Sequence, residues 1–343
     1  MNKKNLSKNI LPVILITALF LSVTHAQAAA PKNEPSQVYT INWLASFPKN
    51  HSVTVGFQKG FIDKATELAK GRLAFNSRGG PVTIPAQDVG KAVQGKVVDM
   101  AIGMVGYLEP MIPGVGGLIL RQISLDEVRK PGGAYDYIVQ LCKPKGIYHL
   151  GLPTPSKDLS FFNLFTNKKV EKPEDFKGFR MGATATTRMA AAAWGTTGVT
   201  LNIADYYTAM ERGTVDGICS TVAEQFVAIG AYAVTKYAPL PGYFDNSGMV
   251  IMNLDFWNKL PADIQKVLTQ AMIYSEKFNM EFNYDIKLKS LQKLKDNGVE
   301  VYDFTPSMAK WVRDSAYEAT WADQLKRFPD IAPKLKELLS PSK

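Results

Sequence analysis

The chain has 343 residues, 46% of them hydrophobic, with 40 Lys and Arg against 31 Asp and Glu and a formal charge of +9. Lys3, Lys4 and Lys8 supply three of those charges with no acid near them, leaving +6 for the rest of the chain. No dense Lys/Arg block occurs, which argues against a nucleic-acid partner and for attraction of anionic solutes.

The three N-terminal lysines precede an apolar run, Ile10 to Val23, and the small-x-small site Ala26-Gln27-Ala28. This is the pattern of a cleaved secretory signal peptide over residues 1–30. The run is short for a bilayer span, which takes about 20 residues. The expected mature protein is therefore soluble and periplasmic, starts near Ala29 or Pro31, and has about 313 residues, enough for two domains.

Strands and helices then alternate, the mark of an α/β fold. Tyr39 to Leu44 reads as a strand. Ser52 is placed to cap a helix running to Lys70, which Gly71 stops. Arg72 to Asn76 is a strand, and the following Arg78-Gly79-Gly80 reads as a turn. Ile84 to Gln94 is expected as a helix, Val97 to Met104 as a buried strand, Leu125 to Leu141 as a helix, and Ile147 to Leu152 and Leu159 to Phe165 as strands. Phe179 to Ala183 is a short strand. A helix over Ala185 to Trp194, a strand, and a helix over Asp205 to Arg212 follow. Gly248 to Asn253 is an apolar strand.

Ala262 to Asn297 has the longest helical periodicity, with Ile264, Leu268, Ala271, Met272, Phe278, Phe282, Leu291 and Leu294 on one stripe. Pro261 stands at its start and Gly298 at its stop. At about 1.5 Å per residue it is longer than a small domain is wide, so it should touch both domains. Val299 to Asp303 is a strand and Pro306 to Leu339 forms terminal helices. With no linker tract, the chain should cross between domains several times. The expected domains are discontinuous: 31–158 with 245–285, and 159–244 with 286–343.

Catalytic patterns are missing. Val89-Gly90-Lys91 lacks the upstream Gly and the following Ser/Thr of a phosphate loop, and no G-x-S-x-G elbow occurs. His51 and His149 have no helical-spacing partner or acidic cluster, so no metal and no cofactor is expected. Cys142 and Cys219, 77 apart, are read as two buried free thiols, a disulfide remaining open. The chain is read as a binding protein rather than an enzyme.

The candidate ligand contact is Arg180, the one cation on its strand, flanked by Phe179 and Met181. A planar guanidinium holds a carboxylate through two parallel hydrogen bonds. A structural ion pair to a nearby acid such as Asp175 is the competing role.

Three stretches around Arg180 carry a resemblance: K-P-E-D-F-K-G at Lys172–Gly178, W-G-T-T-G-V at Trp194–Val199, and A-D-Y-Y-T-A-M-E-R-G-T-V-D-G at Ala204–Gly217. Looser matches are Gly95–Ala101, Tyr107–Pro113 and Phe256–Gln265. Together they resemble the periplasmic solute receptors of TRAP transporters (tripartite ATP-independent periplasmic transporters, the dicarboxylate-receptor-like DctP family). The resemblance implies a two-domain periplasmic binding protein fold with a hinge and a long domain-spanning helix. It also implies a monomer that passes a small organic anion to the small and large membrane subunits. An ABC-type receptor and, further off, a periplasmic enzyme acting on an organic acid are the competing readings.

The family's anchoring Arg falls on Gly182 when the segment is aligned from upstream and on Arg180 when aligned from downstream. Both positions share a strand face, so Arg180 is the expected anchor and Arg188 the reserve. Further slots implied by the resemblance fall near Phe162, Met104, Ser220 and Ile203, and Trp43 on the first strand is added to them. Their apolar character predicts a monocarboxylate, or a similar oxyanion, with an apolar or aromatic part.

Overall fold

The computed structural model describes residues 37–245 and 248–341. The expected signal peptide and cleavage site lie outside the described residues. None of the described helices is long and apolar enough to cross a membrane.

The strands sort into two sheets. The first contains β1 (Tyr39–Ala45), β2 (Leu73–Ser77), β3 (Met100–Met104) and β4 (Ile147–Gly151). The second contains β5 (Asn163–Thr166), β6 (Arg180–Ala183), β7 (Thr197–Thr200), β8 (Gly217–Thr221) and β9 (Tyr237–Leu240). A tenth strand, β10 (Gly248–Asn253), returns to the first sheet, and β11 (Glu300–Asp303) to the second. The orders are β2-β1-β3-β10-β4 and β11-β9-β5-β8-β6-β7. β1 runs parallel to β2 and β3, whereas β10 runs antiparallel to β3 and β4. β3 and β10 are almost wholly buried and read as unbroken apolar runs, as interior strands covered on both faces do.

Residues 152–162 lead from the first sheet to the second and residues 241–245 lead back toward it, while the chain reaches the second sheet once more by way of the long helix and β11. These two crossing segments pair with each other: Phe162 N–H donates to Tyr243 O at 3.1 Å and Tyr243 N–H to Phe162 O at 2.9 Å. The approach is close enough that a Cβ at Gly242 would sit 2.1 Å from Phe162 O. Beside them Arg121 Nε donates to Asp245 Oδ2 at 2.6 Å, with both side chains no more than 3% exposed. The other carboxylate oxygen accepts Ser156 N–H at 2.7 Å. One buried pair therefore holds both crossings and the Val115–Leu120 turn, whose Ile119 O accepts Asp245 N–H at 2.8 Å.

The long helix spans Ala262–Asp296, 35 residues or about 52 Å. It packs on helices Ser52–Phe57 and Asp63–Ala69 and on β4 at one end, and on helix Ala223–Ala228 and β11 at the other. It thus touches the elements around both sheets, as its length predicts. Glu276 pins its first half, accepting from Arg129 Nε (2.7 Å), Arg129 Nη2 (2.6 Å) and Leu152 N–H (2.9 Å).

Several expectations are corrected. Leu125 to Leu141 is two helices, Leu125–Val128 and Ala134–Cys142, because Pro131 and left-handed Gly132 break the run. Ser52 is the first helical residue rather than the cap; His51 Nδ1 accepts Val53 N–H instead. The terminal helix Ala332–Leu339 packs on Ala134–Cys142 and the Val115–Leu120 turn. Cys142 and Cys219, by contrast, are the buried free thiols expected.

Two tests follow from this packing. Replacing Arg121 or Asp245 alone by Leu strands a buried charge and should cost about 3–5 kcal/mol in urea unfolding; replacing both should recover much of that, and single losses below about 1 kcal/mol would refute the role. His149 on β4 is 1% exposed with both ring nitrogens unpartnered, and burial, helped by Arg129, holds its pKa down at about 3. Its folded pKa lies below the unfolded value of about 6.5, so its contribution is complete above pH 6.5 and is lost as pH falls toward 3. His149→Leu should flatten the fall in unfolding free energy over that window, by up to about 1.4 kcal/mol per pH unit.

Candidate functional site

In open α/β sheets, ligands collect in the crevice outside the carboxyl ends of the parallel strands. Both sheets here turn those ends toward a shared cavity of about 460 Å³. From the first sheet come Phe47 beyond β1, Met104 to Tyr107 at the end of β3, and Ser156 to Asp158 beyond β4. From the second come Thr184 to Thr186 beyond β6, Thr200 to Ile203 at the end of β7, and Val222 to Gln225 beyond β8. Asn163 opens β5 at the inner wall, and Asn283, Tyr284 and Lys287 of the long helix border it.

The cavity is an apolar box with a few polar groups. Met104, Phe161, Phe162, Leu201 and Ile203 form its greasy surface. Asn163 is 1% exposed, and neither atom of its amide has a hydrogen-bond partner. A buried amide without partners is costly, and it is the natural contact for a polar ligand group. His51 stacks on Phe47 with centroids 4.2 Å apart. Burial lowers its pKa, and because Nδ1 accepts Val53 N–H the proton sits on Nε2, which is buried and unpartnered. His51, which lines the cavity, is therefore a neutral imidazole with its N–H at Nε2.

Charges at the rim are mostly neutralised. Lys287 donates to Asp158 Oδ2 at 2.7 Å, Ser160 O at 2.9 Å and Ser160 Oγ at 2.7 Å. Burial raises the Asp158 pKa, but Lys287 outweighs it and leaves the carboxyl below its ordinary value. Lys157 pairs with Glu281 at 2.7 Å. Glu224 is different: it accepts from Ser52 Oγ at 2.6 Å and burial pushes its pKa up, against the hydrogen bonds from Ser52. Ser52 follows β1 and Glu224 follows β8, so that bond joins the two sheets' sides of the cleft.

Met104, Phe162 and Ile203 line the cavity. Arg180 does not. It opens β6, at the far end from Thr184, and is 47% exposed. Its Nη2 lies 2.9 Å from Asp216 Oδ1 and its Nε 3.1 Å from Oδ2, so the guanidinium face suited to a ligand carboxylate is already occupied. The partner is Asp216, not Asp175. Arg188 is exposed and faces Asp323 at 3.8 Å. Trp43 is 4% exposed, packs on Phe57 and borders a separate cavity of about 450 Å³ with Val55, Gln58 and Val82. Ser220 lies on β8, and its side chain is outside the described residues.

Asn163, His51 and Glu224 were missed in the sequence. Asn163 was the one polar residue in the Phe161–Phe165 run, the signal that could have found it. Among the described residues, no group of three or more His, Cys, Asp or Glu is placed to hold a metal ion.

Known proteins share this fold. The family model described as bacterial extracellular solute-binding protein, family 7 (DctP) matches residues 138–325, more than half of the chain. A C4-dicarboxylate-binding periplasmic protein DctP of Rhodobacter capsulatus is 28% identical over 151 residues, 43% of this chain and 45% of that protein. The match thus spans less than half the length of this curated relative. A TRAP periplasmic solute-binding protein from Ochrobactrum anthropi superposes with a TM-score of 0.74 at 23% identity, over 88% of this chain and 96% of that one. Another from Desulfovibrio salexigens, solved with bound orotic acid, gives a TM-score of 0.73 at 19% identity, over 88% and 97%. The two-sheet architecture is that of these two-domain receptors, and the chain belongs to the bacterial extracellular solute-binding proteins of family 7.

Proposed function

We propose that this protein is the periplasmic solute receptor of a TRAP transporter. It takes up a small organic acid in the cavity between the sheets, closes over it by a hinge motion of the 152–162 and 241–245 crossings, and delivers it as a monomer to small and large membrane subunits. It carries out no chemistry on the solute. The observation that bears most weight is the apolar cavity lined by Asn163 and His51, whose amide and Nε2–H are buried without partners. A solute with a carboxylate would satisfy both, and Met104, Phe162 and Ile203 would cover its apolar part. Family membership and the likeness to TRAP receptors support the transport role. Ligand affinity for the closed arrangement would drive closure.

Arg180 is not the anchor in this reading, because Asp216 holds its guanidinium outside the cavity. A thermal-shift screen of the mature protein against dicarboxylates, keto acids, aromatic acids, sulfonates and sugar acids tests the proposal. Native-state binding at one hundred times Kd should add about 2.7 kcal/mol. The stabilisation should persist in Arg180→Ala and fall at least tenfold in affinity in Asn163→Leu. A panel without any hit would refute the receptor reading. A hit abolished by Arg180→Ala and kept by Asn163→Leu would return the anchor to Arg180.

A further inference from the structure

We infer that Lys287 is the positioning residue of the hinge: it fastens the first crossing on both sides of Leu159, holds that residue in a left-handed turn, and gives no N–H to the solute. The inference rests on the receptor reading above and names what keeps its hinge in the arrangement seen here.

Among the described residues, four non-glycines have positive φ: Lys70 (48°), Lys96 (62°), Leu159 (51°) and Phe244 (59°). Lys70 and Lys96 stand at helix ends, where a left-handed residue is common. Leu159 and Phe244 fall one in each crossing. A bulky side chain in that region is an outlier that its surroundings must hold in place. Phe244 is held by packing: it is fully buried against Tyr243 and Tyr317, with ring centroids 4.7 and 5.4 Å away. Leu159 is half-buried between Asp158 and Ser160, and hydrogen bonds on either side of it do the holding.

Those bonds converge on Lys287. Its Nζ donates to Asp158 Oδ2 at 2.7 Å, before Leu159, and to Ser160 O at 2.9 Å and Ser160 Oγ at 2.7 Å, after it. Asp158 Oδ1 closes the turn by accepting Ser156 Oγ–H at 2.8 Å and Ser160 N–H at 3.3 Å. An ammonium has three N–H donors, and these three acceptors take them all. Lys287 lines the cavity, yet a solute anion could gain an N–H from it only by breaking this clamp. The clamp is continuous with both crossings. Ser156 N–H donates to Asp245 Oδ1 at 2.7 Å, and Phe161 N–H to Phe244 O at 2.8 Å. A turn that relaxed at Leu159 would therefore pull on the pairing of the two crossings.

Hydrogen exchange of the ligand-free mature chain tests this at the Phe161 and Phe162 amides, which donate to Phe244 O and Tyr243 O. Lys287→Met keeps the stem and removes the donors, and should speed their exchange about tenfold, the factor that a released left-handed turn implies. In a Leu159→Gly background the turn needs no holding, and Lys287→Met should change exchange by less than about threefold. Leu159→Ala loses the side chain but keeps the backbone penalty, so in that background the factor should return to about tenfold. Thermal midpoints check that each variant folds, and Lys287→Gln decides if Lys287→Met does not. Exchange unmoved by Lys287→Met, or moved equally in the Gly and Ala backgrounds, would overturn the inference. Calorimetry with benzoate, succinate and the other acids of the screen gives a second readout. Lys287→Met should weaken every acid that binds by a similar factor, and Leu159→Gly should restore each of them. A loss that Leu159→Gly leaves in place would make Lys287 a direct solute contact and overturn the inference. Should no acid bind at all, the receptor reading falls and the exchange result alone decides the clamp.

Discussion

The architecture depends on the buried pair between Arg121 and Asp245. Asp245 sits where the chain returns from the second sheet to the first, and Ser156 sits where it leaves. The carboxylate joins these two crossings to each other and, through Arg121, to the turn after the first-sheet strands. Removing two such charges from water is expensive, and the geometry has to return that cost through several hydrogen bonds. Here both Asp245 oxygens and the Arg121 Nε are engaged. The pair can exist only if both crossings arrive together, which ties the folding of the two sheets to one point.

The long helix is the second constraint, and it works at a different place. Its first half is held to the first sheet by Glu276 and Arg129. Its Lys287 reaches the first crossing at Asp158 and Ser160, and its last turns pack against β11 and the Ala223–Ala228 helix. Gly60 allows the contact near its middle, since a Cβ there would lie 2.8 Å from Phe278 Cδ1. The helix thus runs beside the crossings and forms one border of the cavity. Any opening of the cleft has to be absorbed by the paired crossing peptides and by polar contacts such as Ser52–Glu224, because the apolar layers on either side are close-packed.

The sequence was most legible where periodicity alone decides. The 35-residue helix and the interior strands β3 and β10 were readable from spacing. It was least legible where partners are distant along the chain. Arg180 stands alone on its strand, and Asp216 lies 36 positions away; the pairing of β6 with β8 is what brings them together. His51 and Ser52 exchange their expected roles for a similar reason. The Ser52 hydroxyl is drawn to Glu224, 172 residues on, which leaves His51 to cap the helix. Asn163 sits among phenylalanines, and only the fold shows that its amide is left without partners.

The structure leaves no room for a cation on β6 at Gly182. Gly182 shares its strand face with Arg180, and it is the other position to which an anchoring Arg could align. An ideal Cβ there would lie 2.5 Å from Ile218 Cδ1 and 3.1 Å from Leu201 Cδ1. Apolar side chains have filled the space a long cation would need, and Leu201 itself goes on to line the cavity. Asn163, His51 and Glu224 are among the polar side chains that still line the cavity. In such a lining an unmatched buried polar group costs more than an apolar misfit.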